Sequence, residues 1–135
     1  MRAVLDPNVI ISALLNRQGT PARALQAWLD GSYELVVSEA LLSELELALA
    51  YPKLRRHVEP HEARELVEFL RRGNRLTDDP TEAPSVRSPD PGDDYLIALA
   101  EATRAVLVSG DRHLLILRDQ LPVFSPAEFV ESLLT

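Results

Sequence analysis

Apolar and polar positions along the chain fall into short apolar runs separated by stretches of helical periodicity. Arg2-Ala3-Val4-Leu5 reads as a short buried strand, ended by Asp6-Pro7 because proline has no N–H to donate to a continuing ladder, and a turn is expected directly after it. Thr20-Pro21 has the form of an N-cap with proline at the first helical position. It opens an amphipathic helix with Ala24, Leu25 and Trp28 inward and Gly31 as its stop. Glu34-Leu35-Val36-Val37 is the next strand. Ser38 then caps a segment whose Leu41, Leu42, Leu45, Ala48 and Leu49 recur at helical spacing until Tyr51-Pro52 breaks it. Pro60 starts another helix, carrying Ala63, Leu66, Val67 and Leu70 to Gly73.

Between Asp78 and Pro91 lie four of the ten prolines, so this stretch is a loop. Asp90-Pro91 caps a helix running through Thr103, followed by strand Ala105-Val106-Leu107-Val108 and the turn Ser109-Gly110-Asp111. A short helical piece at His113-Leu117, a strand at Pro122-Val123-Phe124 and a last helix from Pro126 complete the chain. Strands alternating with helices predict an α/β fold, a three-layer α/β/α sandwich with a central, mostly parallel, Rossmann-like sheet covered on both faces. At 135 residues and 46% apolar content, a single domain over residues 1–135 is expected, burying roughly two-thirds of its extended-chain surface.

Composition narrows the chemistry. The chain has no cysteine, which excludes disulfides and thiolate zinc sites and fits a cytoplasmic location, so any metal is held by oxygen or histidine. The longest apolar run, Tyr95 to Ala100, falls far short of the ~20 residues of a membrane helix, and Asp6, Pro7 and Asn8 interrupt any signal-peptide core, so no membrane partner is expected. Net charge is −7, which opposes a nucleic-acid partner attracted by charge alone. Its distribution weakens that objection, because residues 53–75 hold seven basic residues against four glutamates. Two readings stand for this segment: a solvated helix laced with pairs such as Glu68 with Arg71 and Arg72, or a rim on which Arg71, Arg72 and Arg75 face the phosphates of RNA.

In open α/β sheets the functional crevice lies beyond the carboxyl ends of the strands. Asp6 follows the first strand, Ser109 and Asp111 follow the strand ending at Val108, and Asp90, Asp93 and Asp94 crowd a helix start. Glu44 has only apolar neighbours at helical spacing, namely Ala40, Leu41, Leu47 and Ala48, and so lies at the edge of a buried stripe. Each residue also has a purely structural reading. Asp6 ends a strand, Asp111 caps a short helix, Asn8 sits in a turn, and Asp90 with Asp93 resembles a capping box that leaves Asp94 spare. Two carboxylates ~5 Å apart at an effective dielectric of ~20 repel by about 3 kcal/mol, so a converging cluster requires a cation. All-oxygen donors favour magnesium or manganese, and with it hydrolysis of phosphate esters by a metal-activated water. The pair His57 and His61 is split by Pro60, and His113 lies near Asp111 as a possible substrate contact or a plain surface residue.

At this point the motifs resemble those of the PIN domain family, metal-dependent ribonucleases that include VapC-like toxins of prokaryotic toxin–antitoxin pairs. Val-Leu-Asp6-Pro-Asn8-Val resembles the opening strand and first acid, and Ser38 followed by Leu-Leu-Ser-Glu44-Leu the helix bearing the second. Asp94-Tyr-Leu-Ile-Ala-Leu-Ala resembles the third-acid helix and Leu-Val-Ser109-Gly-Asp111-Arg-His-Leu-Leu the exit carrying the fourth. The resemblance implies that Asp6, Glu44, Asp94 and Asp111 are the catalytic metal ligands, with Asp93 the alternative to Asp94, and that Asn8 and Ser109 are supporting or substrate-positioning groups. It also implies Mg2+ or Mn2+, an RNA substrate, a small antitoxin partner and a homodimer.

Three rivals stand against an endoribonuclease. A haloacid-dehalogenase-type phosphatase requires an aspartate where Asn8 stands, and a response-regulator receiver requires a late lysine, whereas the one lysine is Lys53. A catalytically silent PIN-like module that binds RNA or protein would retain the repulsion of four acids without a compensating ion.

Overall fold

Four short strands, β1 (Arg2–Leu5), β2 (Glu34–Leu35), β3 (Val106–Val108) and β4 (Val123–Phe124), pair in the order β2-β1-β3-β4. The structure is a computed structural model that describes residues 1–74 and 76–134. Every pair is parallel, with Ala3 opposite both Leu35 and Val106, and Val108 opposite Leu5 and Phe124. Parallel strands need crossover connections, and each connection here contains helix. Ala3, Val4, Leu5, Leu107 and Val108 are at most 1% exposed, the continuous apolar pattern of strands covered on both faces.

The helices are α1 (Pro7–Leu15), α2 (Thr20–Leu29), α3 (Glu39–Leu49), α4 (Pro52–Arg55), α5 (Pro60–Gly73), α6 (Asp94–Thr103), α7 (Arg112–Leu115) and α8 (Pro126–Leu133), with a 3-10 turn at Pro91–Asp93 before α6. The sheet flanked by these helices is the predicted three-layer α/β/α arrangement. Helix α6 packs on β1 and β3, while α2 packs against α1 and α8. From β1 the chain moves to β2 on one side and returns to β3 on the other. With right-handed crossovers, that reversal opens a crevice between the carboxyl ends of β1 and β3.

Three local expectations are corrected. In place of a turn after Asp6-Pro7, nine-residue α1 begins at once: Asp6 accepts a hydrogen bond from the Asn8 N–H, and Pro7 occupies the first helical position, where its missing N–H costs nothing. The same dipeptide that stops the strand therefore starts a helix, which buries Val9, Ile10, Ile11 and Ala13. Second, Pro52 breaks α3 but opens the short α4. Third, the strand expected over 34–37 pairs with β1 as far as Leu35, while Val37 bridges outward to Leu76.

Candidate active site

Two strand exits form the floor of the crevice. Asp6 is 4% exposed and Ser109 fully buried, and the Asp6 N–H donates to the Val108 carbonyl at 2.9 Å, which locks the two exits side by side. Asp6 Oδ1 accepts the Asn8 N–H at 3.0 Å, and Oδ2 accepts the Ser109 hydroxyl at 2.7 Å. Because that hydroxyl spends its proton on Asp6, its lone pair is free to accept the Asp111 N–H at 3.0 Å. Asp111 Oδ1 in turn accepts the His113 N–H at 2.9 Å and caps α7. Asp6 and Asp111 are thus caps and cluster members at once, one carboxylate serving both readings.

Glu44 arrives from α3, where the Tyr95 hydroxyl of α6 donates to its Oε2. Burial pushes the Asp6 carboxyl above its ordinary range, the Asn8 and Ser109 hydrogen bonds oppose that shift, and the charges of Glu44 and Asp111 add to it. Tyr95 is likewise held protonated, by burial first and then by its bond to Glu44.

The two candidates for the third acid are placed differently. Asp94 points away from the crevice, with Oδ1 accepting the Ser88 N–H at 2.9 Å and Oδ2 paired with Arg87 at 3.1 Å. Asp93 is the residue that meets the others. Its carboxyl is pushed up to about 7, by burial first and then by the charges of Asp111, Asp6 and Asp90. Its Oδ2 is buried and has no hydrogen-bond partner among the described residues. The cause is the 3-10 turn: Asp90 supplies the cap by accepting the Gly92 N–H at 3.0 Å, Asp93 makes no capping bond, and the helix proper begins at Asp94. A signal for this was present, since Asp93 leads the stripe Leu96, Ile97, Ala100 at i+3, i+4 and i+7, all buried. Tyr95, Ser88 and Arg87 escaped the sequence reading, because their contacts with Glu44 and Asp94 depend on tertiary placement.

Asp6 thus feels the charges of Glu44 and Asp111, and Asp93 those of Asp111, Asp6 and Asp90, whereas Asp94 is bonded to Ser88 and Arg87. Mutually repelling carboxylates with one buried oxygen that has no hydrogen-bond partner among the described residues fit a hard divalent cation, which would satisfy that oxygen and offset the repulsion. Beside them, Asn8, Val9, Ser12, Pro21, Gly110, Asp111 and Pro126 line an open cavity of about 400 Å3. Arg71 lies outside this crevice, with its guanidinium bonded to Glu39 at 3.0 and 3.1 Å and to Glu68, and Arg72 Nε donates to the Glu68 carbonyl at 3.4 Å. Arg75 falls outside the described residues.

Comparison with known proteins bears on the fold and the family. The uncharacterized protein MJ1680 of Methanocaldococcus jannaschii is 27% identical over 142 residues, spanning 97% of this chain and 90% of that protein. Among solved structures, the fold is similar to VapBC2 from Rickettsia felis bound to a DNA fragment from its promoter, with TM-score 0.59, 12% identity, and coverage of 93% of this chain and 97% of that one. It is also similar to FitAB bound to the IR36 DNA fragment, with TM-score 0.57, 20% identity, and coverage of 92% and 94%. FitAcB from Neisseria gonorrhoeae gives TM-score 0.57, 22% identity, and coverage of 93% and 98%. The sequence model of the PIN domain matches residues 2–113, more than four-fifths of the chain, and the chain belongs to the PIN domain family.

Proposed function

We propose that this protein is a metal-dependent endoribonuclease that hydrolyses RNA phosphodiester bonds, and that it acts in the cytoplasm as the toxin of a toxin–antitoxin pair. The observation that supports the reading is that Asp6 feels the charges of Glu44 and Asp111, and Asp93 those of Asp111 and Asp6, beside a buried Asp93 oxygen with no hydrogen-bond partner among the described residues. These four residues would hold Mg2+ or Mn2+. A divalent ion there supplies activation of water and neutralisation of charge developing on phosphate.

The chain's own residues supply the geometry. Ser109 fixes Asp6 and Asp111 relative to each other through a single hydroxyl, and Tyr95 orients Glu44. Asp94, with Arg87 and Ser88, holds the loop that presents the start of α6. The cavity along Asn8 and Gly110 gives a phosphodiester strand access to the acids, with the Asn8 side chain exposed at its lip. The likeness to VapBC2, FitAB and FitAcB supports an antitoxin partner, and a homodimer is part of the same proposal. Of the basic segment, Arg72 is the better candidate for phosphate contact, because Arg71 is already neutralised by Glu39 and Glu68.

Purified protein is expected to cleave RNA with magnesium or manganese, to lose that activity in a chelator, and to lose it in Asp6→Asn. RNA left intact by the wild-type protein with either metal, across several substrate sequences, overturns the assignment in favour of a silent binding module.

A further inference from the structure

We infer that the groove between the far end of α3, α4 and the start of α5 is a docking surface for single-stranded RNA, with Tyr51 stacking a base and Arg55 and Arg64 holding phosphate. This rests on the reading that the protein acts on RNA, and it locates a second hold on that strand away from the acids. Leu47, Ala50, Arg55, Pro60, Ala63 and Arg64 line an open cavity of about 480 Å3. Leu47 follows Glu44 by three residues, so the cavity begins about 4.5 Å along α3 from the expected second acid. Charge selects the occupant. The chain carries −7 overall, yet residues 47–58 contain Lys53, Arg55 and Arg56 and no acid. Lys53, Arg56 and Arg64 have no carboxylate partner among the described residues. Arg55 Nε donates to the Ala50 carbonyl at 3.0 Å, which fixes the guanidinium at the cavity and leaves its two terminal nitrogens to a phosphate. Glu46 also lines the cavity, and its charge acts on Arg71. On α5, Arg64 shares a face with Pro60 at helical spacing, whereas Glu62 lies on the opposite flank.

Tyr51 is an independent observation. It is 65% exposed, and among the described residues its ring has no aromatic partner and its hydroxyl no hydrogen bond. Its main chain is nevertheless fixed. Standing before Pro52, it is held extended at φ −63° and ψ 140°, its N–H donates to the Ala48 carbonyl at 3.2 Å, and its own carbonyl accepts the Leu54 and Arg55 N–H groups at 2.9 and 3.0 Å. An aromatic ring in solvent on a rigid main chain, flanked by cations, is a platform on which a base can stack at little ordering cost. Bases are free to splay onto such a ring in single strands and not within an A-form duplex, so the occupant is a single strand. The platform lies at the opposite end of α5 from Arg72, about 12 Å from it along the helix at Arg64.

The test follows the anisotropy of a fluorescein-labelled single-stranded RNA of mixed sequence with the full chain in a chelator, where no cleavage intervenes, over a range of salt. Tyr51→Ala is expected to raise the dissociation constant about 10-fold, and Tyr51→Phe, which keeps the ring, to match wild type. Arg55→Gln combined with Arg64→Gln is expected to reduce the slope of log affinity against log salt by about 1.4, the value for two phosphates of a single strand. The same RNA annealed into a duplex is expected to bind Tyr51→Ala and wild type alike. Circular dichroism melts check that each variant is folded. Single-strand affinity unchanged in Tyr51→Ala, or a salt slope unchanged in the double arginine variant, overturns the inference. A glutamate-rich peptide that binds wild type and not the double variant, with RNA affinity equal in both, overturns it in favour of an acidic protein segment. Cleavage with magnesium or manganese alongside unchanged RNA affinity in the variants refutes this inference alone, and the affinity losses without any cleavage by wild type refute the proposed function alone.

Discussion

Replacing Asp93 with asparagine removes one negative charge from the centre of the cluster while leaving the shape of the side chain almost unchanged. A neighbouring carboxylate ~5 Å away at an effective dielectric of ~20 contributes about 3 kcal/mol of repulsion. Asp93 is only half-buried, so solvent screening reduces the net gain on removing its charge to roughly 1–2 kcal/mol. For a chain of this length each kcal/mol moves the melting temperature by about 4 °C, so Asp93→Asn should melt roughly 4–8 °C above wild type at pH 8 in a chelator. The sign follows from proton linkage. With its carboxyl at about 7 when folded and near ~3.9 when unfolded, Asp93 keeps a proton in the native state that the unfolded chain has lost. Wild-type stability from this residue is therefore full at pH 4 and falls as pH rises through 7, and Asp93→Asn flattens that decline. Asp94→Asn provides the contrast: weakening the Arg87 pair and the Ser88 bond should cost about 1 kcal/mol and leave the pH profile intact. Manganese at a hundred times its dissociation constant should stabilise wild type and Asp94→Asn by about 2.7 kcal/mol and Asp93→Asn far less. Thermal melts by circular dichroism over pH 4–8, with chelator or manganese, read all three effects. A variant Asp93→Asn that melts at or below wild type at pH 8 without metal, or loss of the manganese effect in Asp94→Asn alone, refutes the reasoning.

Ser109→Ala strands Asp6 Oδ2 and the Asp111 N–H in a buried place and should cost about 2–3 kcal/mol, measured by urea unfolding in a chelator. Tyr95→Phe removes the donor to Glu44 and should raise the manganese dissociation constant ~10-fold by calorimetry, with the fold intact by circular dichroism. Arg72→Ala should weaken RNA binding and reduce the slope of log affinity against log salt by about 1, with Arg71→Ala giving less because Glu39 already holds its charge. An unchanged slope in Arg72→Ala returns the segment to a solvated helix.

Asp6, Ser109 and Asp111 were legible from the sequence because strand exits are fixed by topology, and a parallel sheet with one reversal leaves a single crevice for them to enter. Glu44 was read from its apolar neighbours, but of these only Leu41 is buried and Leu47 is 68% exposed; the exposed Glu44 is tied to the crevice through the Tyr95 hydroxyl. The choice between Asp93 and Asp94 stayed open in the sequence, since it turns on one residue's rotation at a 3-10 turn: Asp90 caps that turn, Asp93 makes no capping bond, and Asp94 is bonded to Ser88 and Arg87. Helix α1 was missed because Asp-Pro has the same signature at the end of a strand and at the start of a helix. The contact of Tyr95 with Glu44 spans 51 residues and that of Arg71 with Glu39 spans 32, so no local pattern reports either.

The sheet ends on both sides in strands of two residues, Glu34–Leu35 and Val123–Phe124, and beyond the first the main chain at Thr77 already donates to the Val37 carbonyl at 2.9 Å. So little unsatisfied backbone gives a foreign peptide almost no template for hydrogen-bonded extension. Recognition of another chain by strand addition is thereby disfavoured, and the protein is protected from runaway edge-to-edge polymerisation.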